Sequence, residues 1–298
     1  MEYILFFVLG GLISVLSGFF GIGGGFILTP ILLLMGFSPL QAITTSLFFT
    51  VGTSLSGITA HIKLKNILWK EGLIMGASGI AATQLARPMV YFLEARGWDD
   101  IVIPLIYIVL LAYFAFSMIR QGKKTDEGMN APESFSVPKL LVIGFVGGFA
   151  SAALGVGGGF IIVPLIITTL GFNPKKAVGT SLFAVLLIVI VGFVSYAVKT
   201  DIDYIIGLML IAGGLIGSQF GARLTAYFQN KELNEMLGML YMATLAGAVL
   251  KLFALNKTGL AIMSIFIFYF FARSFVKINP AKLITKKGLG SSAFFLCL

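Results

Sequence analysis

The chain has 298 residues, of which 58% are hydrophobic and only 11% are charged, and its mean hydropathy is +1.01. An average soluble domain carries about 25% charged residues, so this composition excludes a soluble enzyme, a disordered chain and a nucleic-acid-binding domain. No charged residue occurs between positions 3 and 60, although one membrane span needs only about 20 apolar residues. The sequence therefore predicts an all-α, polytopic helical protein embedded in the lipid bilayer of the cell membrane. The net charge of +9 is explained by Lys and Arg in loops on the inner side of the membrane, with no nucleic-acid partner.

Apolar segments follow one another along the whole chain. They cover residues 3–20, 26–36, 39–60, 71–93, 100–119, 139–154, 159–171, 174–198, 204–228, 234–253 and 258–276. Most are long enough to span, but 26–36 and 159–171 reach only about 16 and 20 Å at 1.5 Å per residue, against a hydrocarbon core of about 30 Å. Each short segment follows a glycine cluster, at 21–25 and 155–159. Consecutive glycines interrupt a helix, so each cluster predicts a helix break.

The two breaks belong to an internal repeat. GIGGGFILTP, which starts at Gly21, matches GVGGGFIIVP, which starts at Gly155, at an offset of 134 residues. After a one-residue insertion the Thr-Ser-Leu-Phe of 45–48 matches that of 180–183. The predicted organisation is a first transmembrane repeat, a hydrophilic cytoplasmic linker, a second transmembrane repeat, and an extra C-terminal helix with a basic tail, at 1–120, 121–138, 139–253 and 254–298.

The loop charges predict that the repeats have opposite orientations in the membrane. The basic loop of the first repeat follows its third segment, with Lys63, Lys65 and Lys70, whereas in the second repeat Lys175 and Lys176 precede the matching segment. If each glycine-broken short helix forms a re-entrant hairpin, 16 of the 21 Lys and Arg residues lie inside or at inner helix ends, as the positive-inside rule expects. Threading each broken pair through the membrane as one span is the alternative, and it fits the charges less well. The prediction is two inverted repeats, each with a glycine-broken, re-entrant helix hairpin.

The glycine clusters are the first candidate binding residues. A glycine break before a short helix leaves free backbone N–H groups and the positive end of a helix dipole, which together form an anion site. Two related clusters can meet near the centre of the membrane. The alternative is that these glycines only allow close helix packing. The candidate substrate-binding glycines are Gly23, Gly24, Gly25, Gly157, Gly158 and Gly159.

Polar side chains inside the spans are the second group of candidates. Hydroxyls at the start of two matching helices can complete an anion site, or can bond to the carbonyls of their own helix. Two matching glutamines can donate to a substrate or bind each other. Two arginines can attract anions, or can extend to the lipid headgroups. His61, the single histidine, is either a proton site or an interfacial residue. The candidates of this group are Thr45, Ser46, Thr180, Ser181, Gln84 and Gln219, with Arg87 and Arg223 as anion-attracting residues.

Several chemical signatures are missing from the sequence. The spans contain no pair of buried carboxylates, which argues against a membrane aspartyl protease and a carboxylate proton relay. There is no HExxH motif and no P-loop, and the single cysteine, Cys297, allows neither an intrachain disulfide nor a Cys/His metal cluster. We therefore expect no enzymatic activity, no cofactor and no metal.

The doubled pattern Gly-hydrophobic-Gly-Gly-Gly-Phe…Pro…Gly-Phe…Pro…Ala…Thr-Ser-Leu-Phe resembles the sulfite exporter TauE/SafE family over nearly all of 1–253. The resemblance implies a multi-pass transporter of sulfite or organosulfonates, with a small anion as its substrate. Because an inside-negative potential drives an anion outward, by about 2.3 kcal/mol per charge at 100 mV, we expect export by alternating access without a coupling carboxylate. A permease for another small organic anion, an anion channel and a membrane scaffold are the alternatives. The sequence leaves the oligomeric state open, a homodimer included.

Overall fold

A computed structural model describes residues 2–122, 136–253 and 255–278. The central part of the predicted linker, 123–135, and the tail after 278, with Cys297, lie outside the described residues. The described residues form eleven α-helices and one short 3-10 turn at Thr225–Tyr227. In chain order the helices are α1 (Glu2–Phe20), α2 (Gly25–Leu34), α3 (Pro39–Lys63), α4 (Trp69–Ala95), α5 (Asp99–Gly122), α6 (Val137–Leu154), α7 (Gly159–Leu170), α8 (Pro174–Ala197), α9 (Tyr204–Leu224), α10 (Asn230–Leu252) and α11 (Asn256–Ile278).

The helix ends follow from local sequence signals. Ser38 and Gln41 form a capping box at the start of α3, and the Asn173 side chain accepts a hydrogen bond from the Lys175 N–H, 3.0 Å away, at the start of α8. Both helices have proline as their first residue, where a missing N–H costs nothing. At the start of α9 the Asp203 carboxylate accepts hydrogen bonds from the first turn, including that of Ile205 at 2.8 Å. These caps fix the borders that the sequence predicts.

The all-helical, multi-pass prediction is confirmed. Within the described residues, seven helices are long and apolar enough to cross a membrane: α1, α5, α6, α8, α9, α10 and α11. The helices α3 and α4 have 25 and 27 residues and so match the length of a span. As predicted, α2 and α7 are short, with 10 and 12 residues, or about 15 and 18 Å. Neither can cross the hydrocarbon core alone.

The two halves pack mainly against each other. The most extensive helix contacts are between α1 and α9 and between α6 and α4. The next most extensive are between α3 and α9 and between α8 and α4. When each helix of α1–α5 is exchanged with its counterpart in α6–α10, the α1–α9 contact becomes the α6–α4 contact, and α3–α9 becomes α8–α4. The helix pairing therefore has two-fold pseudosymmetry. Glycines make the closest approaches, as expected between membrane helices: a Cβ on Gly213 would clash with the Phe7 carbonyl, and one on Gly148 with the Gly79 carbonyl.

The extra helix α11 packs along α10. An ion pair at their shared end joins the Lys277 ammonium to the Glu232 carboxylate at 2.6 Å, and Arg273 lies 3.7 Å from the same carboxylate. The outer surface of α11 carries exposed apolar side chains, such as Phe268 and Phe275. Large exposed apolar surfaces mark contact with lipid or another chain, and here they continue the lipid-facing surface of the bundle.

Candidate functional site

The two glycine loops, Gly21–Gly24 and Gly155–Gly158, meet in the interior of the protein. All of their residues are buried. A Cβ on Gly25 would clash with the Gly155 carbonyl oxygen, and a Cβ on Gly159 would lie 2.7 Å from the Gly21 carbonyl oxygen. A Cβ on Gly23 would be in ordinary van der Waals contact with the Gly157 Cα, at 3.8 Å. The N-termini of α2 and α7 therefore approach each other to within contact distance.

The backbone of these loops requires glycine at several positions. Gly21, Gly23, Gly155, Gly157 and Gly158 all have positive φ angles, between 68° and 80°. Side chains disfavour this left-handed region, whereas glycine adopts it readily. The loops thus turn sharply at the ends of α1 and α6 and bring the following helices back toward the protein centre.

Side-chain hydroxyls hold the two loops together. Thr50 Oγ accepts a hydrogen bond from the Gly25 N–H at 2.8 Å and donates to the Ser46 carbonyl at 2.7 Å. Thr29 donates across the halves to the Gly155 carbonyl at 3.0 Å, and Ser181 donates to the Gly21 carbonyl. Of these hydroxyls the sequence predicts only Ser181 as a site residue. Thr29 and Thr50 are additional.

The other predicted hydroxyl residues have separate roles. Thr45 and Ser46 are buried, and the Ser46 hydroxyl has no hydrogen-bond partner among the described residues. The Thr180 hydroxyl accepts the Leu68 N–H at 3.0 Å. Leu68 immediately precedes α4, so Thr180 satisfies one of the free N–H groups at the beginning of that helix.

The glutamines and arginines lie outside the buried loop contact. Gln84 is exposed, and its amide donates to the Thr83 and Ser195 hydroxyls at 3.3 Å each. Gln84 therefore bonds to Ser195 rather than to Gln219, which is half-buried on α9. Of the arginines, Arg87 is half-buried on α4 and Arg223 is exposed near the end of α9.

A matching pair of tyrosines supports the short helices. Because proline has no N–H, Pro30 and Pro164 each leave the carbonyl four residues earlier without its helical partner. The Tyr107 hydroxyl donates to the first of these carbonyls, that of Phe26, at 2.8 Å. The Tyr241 hydroxyl donates to the second, that of Phe160. Each short helix is thereby tied to a long helix, α2 to α5 and α7 to α10.

The tyrosines also form part of a buried aromatic cluster next to the glycine loops. Its centre is the stacked pair of Phe26 and Phe160, whose ring centroids are 5.2 Å apart. Tyr107 lies at 6.1 Å and Tyr241 at 5.4 Å from Phe26. Sequence reasoning missed both tyrosines, although they recur at the repeat offset of 134 residues.

Two further serines place free hydroxyls beside the loops. Ser17 and Ser151, also 134 residues apart, precede the two loops at the ends of α1 and α6. Both are fully buried, and neither hydroxyl has a partner among the described residues. The Ser151 Cβ is 3.3 Å from the position that a Cβ on Gly158 would take. Because an unpaired buried hydroxyl costs about 1–3 kcal/mol, these groups point to a ligand or a water molecule.

His61 is a buried hydrogen-bonding residue. Its Nε2 lies 3.1 Å from the Gly18 carbonyl oxygen, in the last turn of α1, and the side chain has no exposed surface. The side chain thus packs against protein, whether or not it lies at the depth of the membrane interface. At the matching place in the other half, the Tyr196 hydroxyl donates to the Ala152 carbonyl at 2.8 Å. Each bond satisfies a carbonyl that the end of a helix leaves free.

Replacing His61 tests this capping role. We expect His61→Leu to lower the free energy of unfolding by about 1–3 kcal/mol, because the Gly18 carbonyl becomes a buried, unsatisfied acceptor. His61→Gln keeps a side-chain N–H donor and should recover most of the loss. Thermal unfolding in detergent measures both. Equal melting temperatures for the two variants would contradict the role.

Metal ligands do not gather in the described part of the chain. Across residues 2–122, 136–253 and 255–278, no three His, Cys, Asp or Glu side chains form a group that can hold a metal ion. The chemistry available at the loop contact consists of backbone N–H groups, hydroxyls and the positive ends of two helix dipoles. This arrangement can bind an anion without a charged side chain.

Comparisons with known proteins point to one family. The sequence pattern of the family described as "Sulfite exporter TauE/SafE" matches residues 6–250. The chain is similar to the "probable membrane transporter protein YunE" of Bacillus subtilis, with 27% identity over 251 residues, covering 78% of this chain and 92% of the relative. It is also similar to a "probable membrane transporter protein" of Haemophilus influenzae, with 31% identity over 206 residues, covering 66% of this chain and 74% of the relative. No solved structure matches the chain.

Proposed function

Because the chain belongs to the sulfite exporter TauE/SafE family, whose relatives carry the name of membrane transporters, we propose that it exports small sulfur-containing anions such as sulfite or organosulfonates. The observation that carries the proposal is the meeting of the α2 and α7 N-termini at the two glycine loops. Each helix N-terminus has the effect of about half a positive charge. Two of them together match one negative charge on a small oxyanion.

The contacts between the halves support an inverted repeat. The amide of Gln41, at the start of α3, lies 3.5 Å from the Asp201 carbonyl, in the loop after α8. The Leu68 N–H, in the loop after α3, donates to Thr180 at the start of α8. The two matching loops thus lie at opposite ends of the α3–α8 pair, which is about 37 Å long. Inverted repeats around broken helices are typical of secondary transporters that work by alternating access.

The driving force favours export. With the inside of the cell negative, a singly charged anion gains about 2.3 kcal/mol on leaving through a potential of 100 mV. No charged side chain takes part in the loop contact described above, so the proposal needs no coupling carboxylate. A permease for another small anion has the same requirements. A channel differs from both, since it gives flux that does not saturate.

Flux measurements in proteoliposomes test the proposal. We expect saturable sulfite flux that speeds up when the imposed potential drives the anion and slows down when the sign is reversed. Gly158→Leu should abolish the flux, because Gly158 has φ +77° and its Cβ would lie 2.5 Å from the Gly147 carbonyl oxygen.

The control for this variant is Gly171→Leu. Gly171 has a similar φ of +68°, but no atom lies within 4 Å of its Cβ position. It therefore carries the same backbone strain without entering the loop contact, and it should keep most of the flux. Absence of flux in the unmodified protein, for sulfite and for competing sulfonates alike, contradicts the proposed substrate class. Flux that does not saturate favours the channel.

A further inference from the structure

The two loops are not equivalent in their hydrogen bonds. In the first half the leading N–H of α2, that of Gly25, is occupied by the Thr50 hydroxyl at 2.8 Å. Allowing for the one-residue insertion, the residue that matches Thr50 is Val185. Val185 has no hydroxyl, and its side chain lies between the two loops, 3.3 Å from the Cβ position of Gly23 and 3.5 Å from that of Gly157.

The N-terminus of α7 therefore keeps its donors free. Among the described residues, neither the Gly159 N–H nor the Phe160 N–H has a hydrogen-bond acceptor, and the helix has no side-chain cap. In α2 the free N–H groups begin one residue later in the helix, at Phe26 and Ile27. In the described part of the chain, α7 but not α2 therefore has a first N–H group without an acceptor.

A buried serine lies next to Gly158, the residue that precedes α7. Ser151 is fully buried, its hydroxyl has no partner in the described part of the chain, and its Cβ faces Gly158 at 3.3 Å from that residue's Cβ position. A serine in a helix normally bonds back to the carbonyl of the preceding turn, as Ser181 does to Val178. Ser151 makes no such bond, so its O–H is available to an acceptor outside its own helix.

We propose that the transported anion binds at the N-terminus of α7, where Gly159 N–H, Phe160 N–H and the Ser151 hydroxyl are its donors and Val185 leaves the first of them free. This inference rests on the proposed function and makes the binding site asymmetric. The first half acts as the closed counterpart, in which Thr50 already occupies the position that the anion takes in the second half. A small oxyanion suits the site because its oxygens can accept from several donors at once.

A hydroxyl added at Val185 tests the asymmetry. Val185→Thr keeps the volume of the side chain and gives the Gly159 N–H the acceptor that Gly25 has in Thr50. An anion must then compete with an internal hydrogen bond. We expect sulfite affinity to weaken about three- to tenfold, measured in detergent from the rise in melting temperature with sulfite concentration.

The matched control is Val189→Thr. Val189 lies one turn further along α8 and is fully buried, so the substitution adds the same hydroxyl to the same helix without placing it opposite Gly159. It should bind sulfite as the unmodified protein does. Both variants are compared by their melting temperatures without sulfite, which separates a general loss of stability from a loss of binding.

Each other outcome overturns the inference. If Val185→Thr binds sulfite as tightly as the unmodified protein, or if Val189→Thr loses as much affinity, α7 is not the binding site. If Thr50→Val, which frees the Gly25 N–H, tightens sulfite binding while Val185→Thr leaves it unchanged, the anion binds at α2 instead. If the unmodified protein binds neither sulfite nor methanesulfonate, the proposed function itself fails, and the inference fails with it.

Discussion

Replacing Gly155 by alanine is expected to destabilise the protein by about 2–5 kcal/mol. Gly155 has φ +69°, and a Cβ there would lie 2.5 Å from the Cα of Ile43 in α3. The left-handed backbone costs about 1–2 kcal/mol for a residue with a side chain, and overpacking a tight interior adds about 1–3 kcal/mol. The contact is with backbone, which a change of side-chain rotamer cannot relieve. We expect a large fall in melting temperature and in the yield of monodisperse protein.

Gly171→Ala separates the two contributions. Gly171 has nearly the same φ angle, +68°, but its Cβ position is open, with no atom within 4 Å. This variant carries the backbone strain alone and should lose only about 1–2 kcal/mol. If Gly155→Ala proves no less stable than Gly171→Ala, the close contact between the second glycine loop and α3 does not exist in solution.

The helix borders could be predicted well from the sequence, because glycine, proline and capping residues mark them locally. Segments 159–171 and 174–198 agree with α7 and α8 to within one residue at each end. The largest differences are four residues each: α9 ends at Leu224 and not at 228, and α10 begins at Asn230 and not at 234. The charged residues Lys231 and Glu232 occupy its first turn, and a search for apolar segments starts only after them.

The roles of the site hydroxyls could not be predicted, because they depend on contacts between the halves. Ser46 and Ser181 occupy the same place in the repeated motif, but only Ser181 bonds to the opposite loop, at Gly21. The matching acceptor for Ser46 is the Gly155 carbonyl, which already accepts from Thr29. The second half has Val163 where the first has Thr29. The single difference between Thr29 and Val163 thus changes the hydrogen-bond partners of several residues that occupy equivalent positions in the two repeats.

A polar residue inside an apolar segment did not reliably predict a site residue. Gln84 and the matching Gln219 each interrupt an apolar segment. In the structure, however, Gln84 is exposed, and its amide donates to the Ser195 hydroxyl. A long polar side chain can lie on the outer surface of a bundle as well as inside it. Tyr107 and Tyr241 could not be predicted as site residues, because aromatic residues are common in membrane spans. Their hydroxyls nevertheless donate to the two carbonyls that Pro30 and Pro164 leave free.

Removing these two tyrosine hydroxyls is expected to have the second large effect. Tyr107→Phe and Tyr241→Phe keep the aromatic ring but leave the Phe26 or Phe160 carbonyl unsatisfied in the interior. Each change should cost about 1–3 kcal/mol, which is a factor of about 5–150 in the equilibrium between the bound and the released short helix. We expect lower melting temperatures and a weaker apparent affinity for sulfite in proteoliposomes. Tyr113→Phe is the control, since Tyr113 is on the same helix as Tyr107 but is exposed.

The two variants should differ in size of effect. A small cavity of about 20 Å³ lies beside Tyr107, between α2, α5 and α10, and a space of that size can admit one water molecule. Water can therefore replace the Tyr107 hydroxyl, at least in part, whereas Tyr241 is fully buried and does not line this cavity. Tyr241→Phe should accordingly be the more damaging change. A greater loss in Tyr107→Phe would contradict this ranking.

The double variant shows whether the short helices act together. Phe26 and Phe160 stack directly on each other, so the release of one short helix also removes support from the other. Contacting residues usually show coupling of about 0.5–3 kcal/mol between their substitutions, whereas independent sites add. We expect the loss in the Tyr107→Phe, Tyr241→Phe double variant to differ from the sum of the single losses by an amount in that range. Simple additivity would mean that α2 and α7 are held separately, and that a transport cycle can move one of them without the other.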